Sequence, residues 1–572
     1  MNNTDPHPAA LSTTPLPVWR MFALLWVLMF LLYMPAAKAG FVSDFTGWLD
    51  QIRNHSFSEY INRTNFGVVS LYQFTQLVTW VFYKLFGVNA WLWHLLFITL
   101  HAVNATLLYR LAGTMLNDAG VKAGKAIART GALLFCVTPA IAEVVVWEPS
   151  FHYLQGLLLV LLILRQVQQY FHTPAAHYAR TAAVLYFLSL FSLEIFYLTP
   201  WLVLSLAGFY KYVHVEGKVH YRKAILLFFI PLLLLFASRM VGFRLYYGDW
   251  VSRIGSNAAL LAPETGLGKP MKYLCHLLIP LRYLPGEWHA GALTMAAVRK
   301  SIYQFCDSTT GIVLFYGANM LILLWYRFRY RYVSGHARAV YTLLIWTLLC
   351  LLLVTPLPFG DLLLIIYDRY SYFAAPFLFM LTATLVYSIK RSWLRSGWLL
   401  LLLLVNLRYA VQAARYWGKG QRITDALLHH LPDNDCKITL LLNLPDSMHG
   451  AAMIGSAQES EYALMRRLLT PQLPLCGKVY DVMSYNMASP EDGANVTVIN
   501  DSTVHVALNQ WATWWWYAGF GGHDYETADY RVRIREGYYE VILTHPASDY
   551  ALYFQKGDTW KRVDIQRRDT QF

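Results

Sequence analysis

Apolar runs long enough to cross a bilayer recur about eleven times along this chain, and that recurrence constrains its fold more than any other feature. Hydrocarbon offers no water to satisfy backbone N–H and C=O groups, so a spanning segment must satisfy them internally, as a helix of about 17–25 residues does. The runs cover 18–36, 90–116, 130–147, 153–170, 181–194, 196–212, 224–241, 310–326, 339–356, 372–389 and 397–413. The fifth and sixth are short and nearly continuous. Only 14% of the residues are charged and the mean hydropathy is +0.36, against about 25% charged in a soluble protein. The fold expected is a polytopic α-helical membrane protein of about 11 transmembrane helices. It comprises a tail at 1–17, a transmembrane domain at 18–414 and a soluble domain at 415–572.

The basic residues give the bundle a sidedness. Lys122, Lys125 and Arg129 follow the second run, and Arg165 and Arg180 flank the loop after the fourth. Lys211, Lys218, Arg222 and Lys223 follow the sixth. Arg327, Arg329, Arg331 and Arg338 follow the eighth, and Lys390, Arg391 and Arg395 the tenth. Alternate loops are therefore basic, as cytoplasmic loops are. The N-terminus then lies inside, and the long loops 38–89 and 242–308 lie outside with the C-terminal domain. The same spacing turns the net charge of +13 away from nucleic acid, because the cations are scattered between apolar runs and form no single patch. Arg20, the run 21–34 and Ala37-Lys38-Ala39 resemble a signal peptide, but the first run reads better as an uncleaved span that anchors the first outer loop.

Within the first outer loop, Ser70–Phe86 mixes apolar and polar residues at helical spacing and predicts an interfacial helix. The semi-apolar stretch Tyr273–Leu284 in the second long loop predicts a re-entrant segment. Beyond residue 415, short β-rich runs separated by Gly, Asn, Asp and Pro predict a β-rich or α+β domain. They are Ile438–Leu442, Val496–Ile499, Val504–Leu508, Tyr530–Ile534 and Tyr538–Leu543. Cys436 and Cys476 fall in that domain and would pair in an oxidising compartment. No Cys/His spacing typical of a metal site occurs, and no cofactor is expected.

Ionisable residues at the outer ends of the spans are the candidates for chemistry, because charge at that depth is expensive. Asp44, in Gly40-Phe41-Val42-Ser43-Asp44, could accept a proton, bind a divalent cation, or be a plain solvated loop acid. Glu143 and Glu148 close the third run, and Glu194 sits between two apolar runs. Each is either a site acid or an acid at a helix end. Arg239 and Arg244 lie outside, against the positive-inside trend, and suit a phosphate or lipid headgroups in general. Tyr367-Asp368-Arg369-Tyr370-Ser371-Tyr372 is the densest group. There Arg369 pairs with Asp368 or holds a phosphate beside Tyr372, unless the group is an interfacial aromatic belt with a local ion pair. Trp514 and Trp515, within Trp511–Tyr517, offer faces for stacking on sugars, for a domain core or for the membrane interface.

Several of these pieces together resemble the GT-C glycosyltransferases, most closely the membrane half of the TMTC-type O-mannosyltransferases. Gly40–Asp44 looks like that family's Gly-Phe-Val-x-Asp loop, and Trp93-His94-Leu95 through His101–Asn104 like its second span. Gly131–Phe135 with Pro139 and Glu143, Ser192-Leu193-Glu194, and Asp368–Tyr372 with Pro376 occur in the family's order. The resemblance implies transfer of a sugar from a polyprenyl-phosphate carrier to a protein, glycan or lipid acceptor at the outer face of a bacterial inner membrane. It implies Asp44 as base, Arg369 as phosphate holder, and Glu143 and Glu194 as shapers of the site. This chain departs from the family at Ser43, at Leu193 and at Ser150–Tyr153, where the family has further charged residues, and it has no tetratricopeptide tail. The alternatives are a lipid-linked polysaccharide polymerase or ligase, a transporter or flippase, and an inactive scaffold.

Overall fold

The computed structural model of the chain describes residues 17–36, 40–42, 45–62, 72–192, 194–213, 221–248, 266–280, 289–290, 293–329, 333–355, 357, 368–432, 437–455, 460–473, 475–508, 515–516 and 522–565. The first helices are α1 (Val18–Tyr33), α2 (Phe45–Asn54), α3 (Phe57–Asn62), α4 (Gln73–Phe86), α5 (Ala90–Asp118), α6 (Gly124–Val137) and α7 (Ala142–Val146). They are followed by α8 (Phe151–His172), α9 (Ala176–Ser189), α10 (Thr199–Tyr210), α11 (Tyr221–Ala224) and α12 (Ile230–Tyr247). After these come α13 (Lys269–Leu278), α14 (Met295–Asp307), α15 (Thr309–Arg329), α16 (Gly335–Leu352), α17 (Ala375–Tyr387) and α18 (Ser392–His429).

All eleven apolar runs are helical, but they are not eleven equal spans. Among the described residues, 7 helices are long and apolar enough to cross a membrane, or up to 8 with one bent pair. The bent pair is Gly124–Val137 with Pro139–Val146, turned by 58°. Pro139 carries no N–H and pushes Thr138 out of the helical region, to a ψ of 134°. The remaining runs are the short helices α9, α10 and α17. Hydropathy locates apolar runs correctly but cannot tell a full span from a shorter helix buried among its neighbours.

Helix packing is set by small residues and paired hydroxyls. Met21, Leu25 and Met29 of α1 are fully buried one turn apart, and Trp26 Nε1 donates to Thr99 Oγ1 of α5 at 3.0 Å. A Cβ on Gly131 of α6 would lie 2.8 Å from the Met380 side chain of α17, so the two helices meet at a residue with no side chain. At the opposite end from the soluble domain, Gln168 Nε2 donates to Tyr210 Oη and to the Leu111 carbonyl, both at 2.9 Å. Tyr210 in turn donates to Asp118 at 2.7 Å, which ties α5, α8 and α10 together. The helix expected at the interface, α4, exposes Leu77, Val81 and Leu85 and buries Thr75, Gln76 and Thr79 against the bundle. Its apolar stripe faces outward and its polar face inward, the arrangement of a helix that lies between lipid and a polar chamber.

Helix α18 has 38 residues, about 57 Å at the helical rise, against a hydrocarbon core about 30 Å thick. Its second half therefore leaves the bilayer and carries the soluble domain. Leu427, in its last turn, accepts hydrogen bonds from Tyr462 Oη at 2.7 Å and Trp560 Nε1 at 2.9 Å, which satisfies an otherwise orphaned carbonyl. The domain contains helix α19 (Glu461–Leu469) and three sheets. Besides a short β1–β2 pair (His289–Ala290 and Leu293–Thr294) between α13 and α14, the strands are β3 (Ile438–Leu441), β4 (Leu444–Met448), β5 (Ala451–Ala452), β6 (Val479–Asp481), β7 (Ser484–Met487) and β8 (Ala494–Asn500). The rest are β9 (Thr503–Leu508), β10 (Trp515–Trp516), β11 (Tyr525–Glu526), β12 (Tyr530–Ile534), β13 (Tyr539–Leu543), β14 (Tyr550–Lys556) and β15 (Thr559–Val563).

One sheet runs β15-β14-β3-β6, with β3 parallel to both β14 and β6. A second, antiparallel throughout, runs β11-β12-β13-β9-β8, and a third runs β10-β7-β4-β5. A core of Leu440, Leu442, Val504, Val506, Val532 and Val541 lies inside the domain. Leu441, Leu444, Met448 and Tyr485 join the core of the bundle instead, so the domain is packed onto the helices. Cys476 is disulfide-bonded; its expected partner, Cys436, lies outside the described residues.

Asp481, at the end of β6, sits under the start of α19. It accepts from Ser460 Oγ at 2.7 Å and from the Tyr462 N–H at 3.3 Å. Burial pushes its carboxyl up to about 6, against those hydrogen bonds, which pull it down. The folded pKa then exceeds the unfolded value of roughly 4, so the folded state takes up the proton first. Stability contributed by this group rises as pH falls through 6 and levels off near 4. Relative to Asp481→Asn, the full-length wild type should gain on the order of 1 kcal/mol between pH 7 and pH 5 in thermal unfolding. A difference independent of pH would show an ordinary carboxylate.

Candidate active site

Glu143, Asp368 and Arg369 come together where the bent pair α6–α7 meets the 3-10 turn Asp368–Ser371 that precedes α17. The bend at Pro139 brings Glu143 round to that turn. Glu143 receives the Arg369 guanidinium on one oxygen and the Arg369 backbone N–H, at 2.9 Å, on the other. The guanidinium lies between two aromatic faces, its centre 4.7 Å from Trp147 and 4.7 Å from Tyr370, and it donates to Tyr370 Oη at 3.2 Å. The Arg369 side chain is 14% exposed and that of Glu143 is 3%. The pair is thus nearly withdrawn from water.

Arg369 pairs with Glu143, 226 residues away, and not with its neighbour Asp368. Asp368 faces the other way, toward His276 Nε2 of α13 at 3.2 Å, with both side chains fully buried. Helix α13 turns a basic face inward. Lys269, Lys272 and His276, at i, i+3 and i+7, are all buried, and Lys272 Nζ meets Asp307 of α14 at 2.6 Å. Sequence reasoning missed this face. The cue was its spacing within a stretch whose mixed polarity looked re-entrant.

Glu148 is fully buried at the start of the turn into α8, and His94 Nε2 of α5 stands 3.5 Å from it. Tyr372 is engaged elsewhere. Its hydroxyl is fully buried, 2.9 Å from His101 Nδ1 and 3.2 Å from Asn104 Nδ2, and joins the turn to α5. From Tyr370 an aromatic wall continues through Tyr153 (6.3 Å between ring centres) and His152 (4.6 Å) to Tyr72 (5.3 Å) at the head of α4. There Thr75 Oγ1 of α4 donates to Gln155 of α8 at 2.7 Å.

Arg239 and Arg244 behave differently from Arg369. Arg239 lies over Phe191 and Phe243, at 4.7 and 4.6 Å. Arg244 is exposed and donates to the Gly248 carbonyl at the end of α12. Glu194 begins a 3-10 turn, and nothing is described of its side chain. Trp515 lies in β10, paired with β7, and Trp514 lies outside the described residues.

Asp44 also lies outside the described residues, but the chain on both sides of it is held. A Cβ on Gly40 would come 2.9 Å from Gln421 Nε2 of α18. Phe41, Val42 and Phe45 are buried, with Phe45 edge-on to Trp93 at 5.2 Å. Thr46 donates to Glu461 of the soluble domain, and Asp50 pairs with Arg467 at 3.0 Å. The loop therefore rests on the bundle and the domain together. Among the described residues no three His, Cys, Asp or Glu side chains gather to hold a metal ion.

No family model and no curated protein matches the chain. Three solved structures resemble it in part. ArnT from Cupriavidus metallidurans, bound to undecaprenyl phosphate, is 12% identical with a TM-score of 0.39, over 82% of this chain and 92% of that one. The oligosaccharyltransferase of Archaeoglobus fulgidus in its apo form is 13% identical with a TM-score of 0.42, over 86% and 75%. Archaeal AglB from the same organism, with an inhibitory peptide and a dolichol-phosphate, is 12% identical with a TM-score of 0.40, over 86% and 74%. ArnT and AglB are GT-C membrane glycosyltransferases. Likenesses this partial transfer no residue role to the present chain.

Removing one partner of a buried ion pair strands the other charge, at a cost of about 3–5 kcal/mol. Glu143→Ala and Arg369→Ala should each lower stability by about that amount in detergent-solubilised protein. The double variant should lose clearly less than the sum. Additive losses in thermal unfolding would show that the two side chains act independently.

Proposed function

We propose that the chain is an integral membrane glycosyltransferase. It takes a sugar from a polyprenyl-phosphate donor and delivers it to a protein, glycan or lipid acceptor at the outer face of a bacterial inner membrane. The observation that carries this reading is the largely buried Arg369 guanidinium in the turn Asp368–Ser371, next to the buried basic face of α13 at one end of the bundle. A lipid-linked phosphate enters from the bilayer and needs positive charge in a place where water is scarce. Glu143, Trp147 and Tyr370 hold the plane of the Arg369 guanidinium in place. Lys269, Lys272 and His276 line the far side of the turn, with Lys272 and His276 paired to Asp307 and Asp368.

In the reaction, the acceptor hydroxyl oxygen bonds to the anomeric carbon from the face opposite the phosphate. The bond between that carbon and the phosphate oxygen breaks, and its electron pair leaves with the carrier, so configuration inverts. The hydroxyl proton passes to Asp44, the base implied by the resemblance of the Gly40–Asp44 loop. Charge developing on the leaving phosphate is stabilised by the cations already in position, which need little reorganisation. The anchoring of Gly40, Phe41, Val42, Phe45 and Thr46 supports the role of Asp44, since a base acts only from a fixed position. The soluble domain, with Trp514 and Trp515, receives the acceptor.

The test is transfer by the purified full-length chain from a mixture of polyprenyl-phosphate sugars. Asp44→Asn should lower the rate by about 100-fold or more while leaving the melting temperature unchanged. Unchanged transfer in that variant would remove Asp44 as the base. Absence of transfer by the wild type from every carrier would favour a scaffold or a transporter.

A further inference from the structure

A second cluster of cations stands apart from the Glu143–Arg369 pair, on the outward face of α18. Leu401, Leu404, Arg408, Arg415, Lys419 and Arg422 succeed one another at spacings of three, four or seven residues and so share one side of that helix. Leu401 and Leu404 are 51% and 53% exposed, as side chains facing lipid are. The same stripe turns basic where the helix leaves the hydrocarbon. The opposite side of α18, with Ala410, Ala413, Ala414 and Trp417, is buried.

The basic part of the stripe borders a cavity of about 640 Å³ lined by Pro35, Arg415, Gly418, Lys419, Gln421, Arg422 and Asp425. That volume falls within the roughly 300–1,000 Å³ usual for small-ligand sites. Its floor is made by close approach of two backbones, since a Cβ on Gly418 would lie 2.6 Å from the Pro35 carbonyl oxygen. Gln421, 5% exposed, donates to Asp425 at 2.6 Å and has no hydrogen-bond partner on Oε1. Arg415, Lys419 and Arg422 are exposed, and none forms a salt bridge with a described residue. Glu491 of the soluble domain is near enough to Lys419 to feel its charge. Three cations against Asp425 at this mouth leave a net positive charge, at the end of α18 opposite Lys390, Arg391 and Arg395.

We propose that this cavity holds the phosphate headgroup of an anionic membrane lipid whose acyl chains lie along Leu401 and Leu404. General anchoring of a helix by headgroups needs only scattered cations. Here three border one cavity on the same side of α18 as the lipid-facing leucines. Proximity to an anionic lipid surface is worth roughly fivefold in affinity per Lys or Arg, so three cations less Asp425 and Glu491 imply a preference of about fivefold over a zwitterionic headgroup. This cavity is separate from the Glu143–Arg369 pair, although Gln421 in its lining also packs against Gly40 of the Asp44 loop.

The test uses the full-length protein in neutral detergent with photoactivatable phosphatidylglycerol and phosphatidylcholine of equal chain length. Phosphatidylglycerol should cross-link to the peptide spanning 408–425 about fivefold more than phosphatidylcholine. Arg415→Gln/Lys419→Gln/Arg422→Gln should abolish the excess, and Lys390→Gln/Arg391→Gln/Arg395→Gln should leave it. If the triple variant does not fold, Lys419→Gln alone should reduce the excess severalfold. Equal labelling by both lipids, or an excess that survives the 415/419/422 change, would overturn the proposal. Displacement by millimolar inorganic phosphate would overturn the assignment to a lipid, because the acyl chains should hold the headgroup against a soluble anion.

Discussion

A charge in hydrocarbon must be paired, and much of this structure is arranged around one such pairing. The Glu143 carboxylate and the Arg369 guanidinium come from segments far apart in the chain, and each depends on a break in helical structure to reach the other. Without the 58° bend at Pro139, Glu143 would continue along a straight span. Without the 3-10 turn before α17, the Arg369 N–H would be committed to a helix and not to Glu143. Two local irregularities, each unfavourable alone, are stabilised by the ion pair they permit. The aromatic faces of Trp147 and Tyr370 then hold the cation in place without neutralising it.

The neighbouring groups are arranged by that centre. Asp368, next in sequence to Arg369, is turned the opposite way and meets His276, so one short turn presents an anion to α13 and a cation to α7. Helix α13 brings buried lysines and a histidine into a region where an unpaired acid would be costly. Helix α18 is capped by Tyr462 and Trp560, which ties the soluble domain to the end of that helix. The loop before α2 rests on both bodies, through Gly40 against Gln421 and Thr46 against Glu461.

How legible each part was depended on its physical cause. The strand pairs β8–β9 and β12–β13 alternate buried and exposed residues and were readable. Strand β14, almost wholly buried between β3 and β15, has no such alternation and was not. Glu143, Glu148, Asp368 and Arg369 stood out because ionisable residues at the ends of apolar runs are rare. The partner of Arg369 did not, since Asp368 was adjacent in sequence and only the bend at Pro139 favours Glu143. Tyr372 looked like part of a phosphate wall, but its hydroxyl is used between helices by His101 and Asn104.

By itself the sequence determined that this chain lies in a membrane, where its helices run, and that a β-rich domain succeeds them. Those properties arise from hydropathy and from periodicity along the chain, which are local quantities. Only the tertiary structure decided which runs are full spans, which acid neutralises Arg369, and that a basic face of α13 borders the site. It also decided that the basic stripe of α18 opens on a walled cavity beside Pro35. Each of these depends on distances between segments remote in sequence, and composition and spacing do not encode such distances.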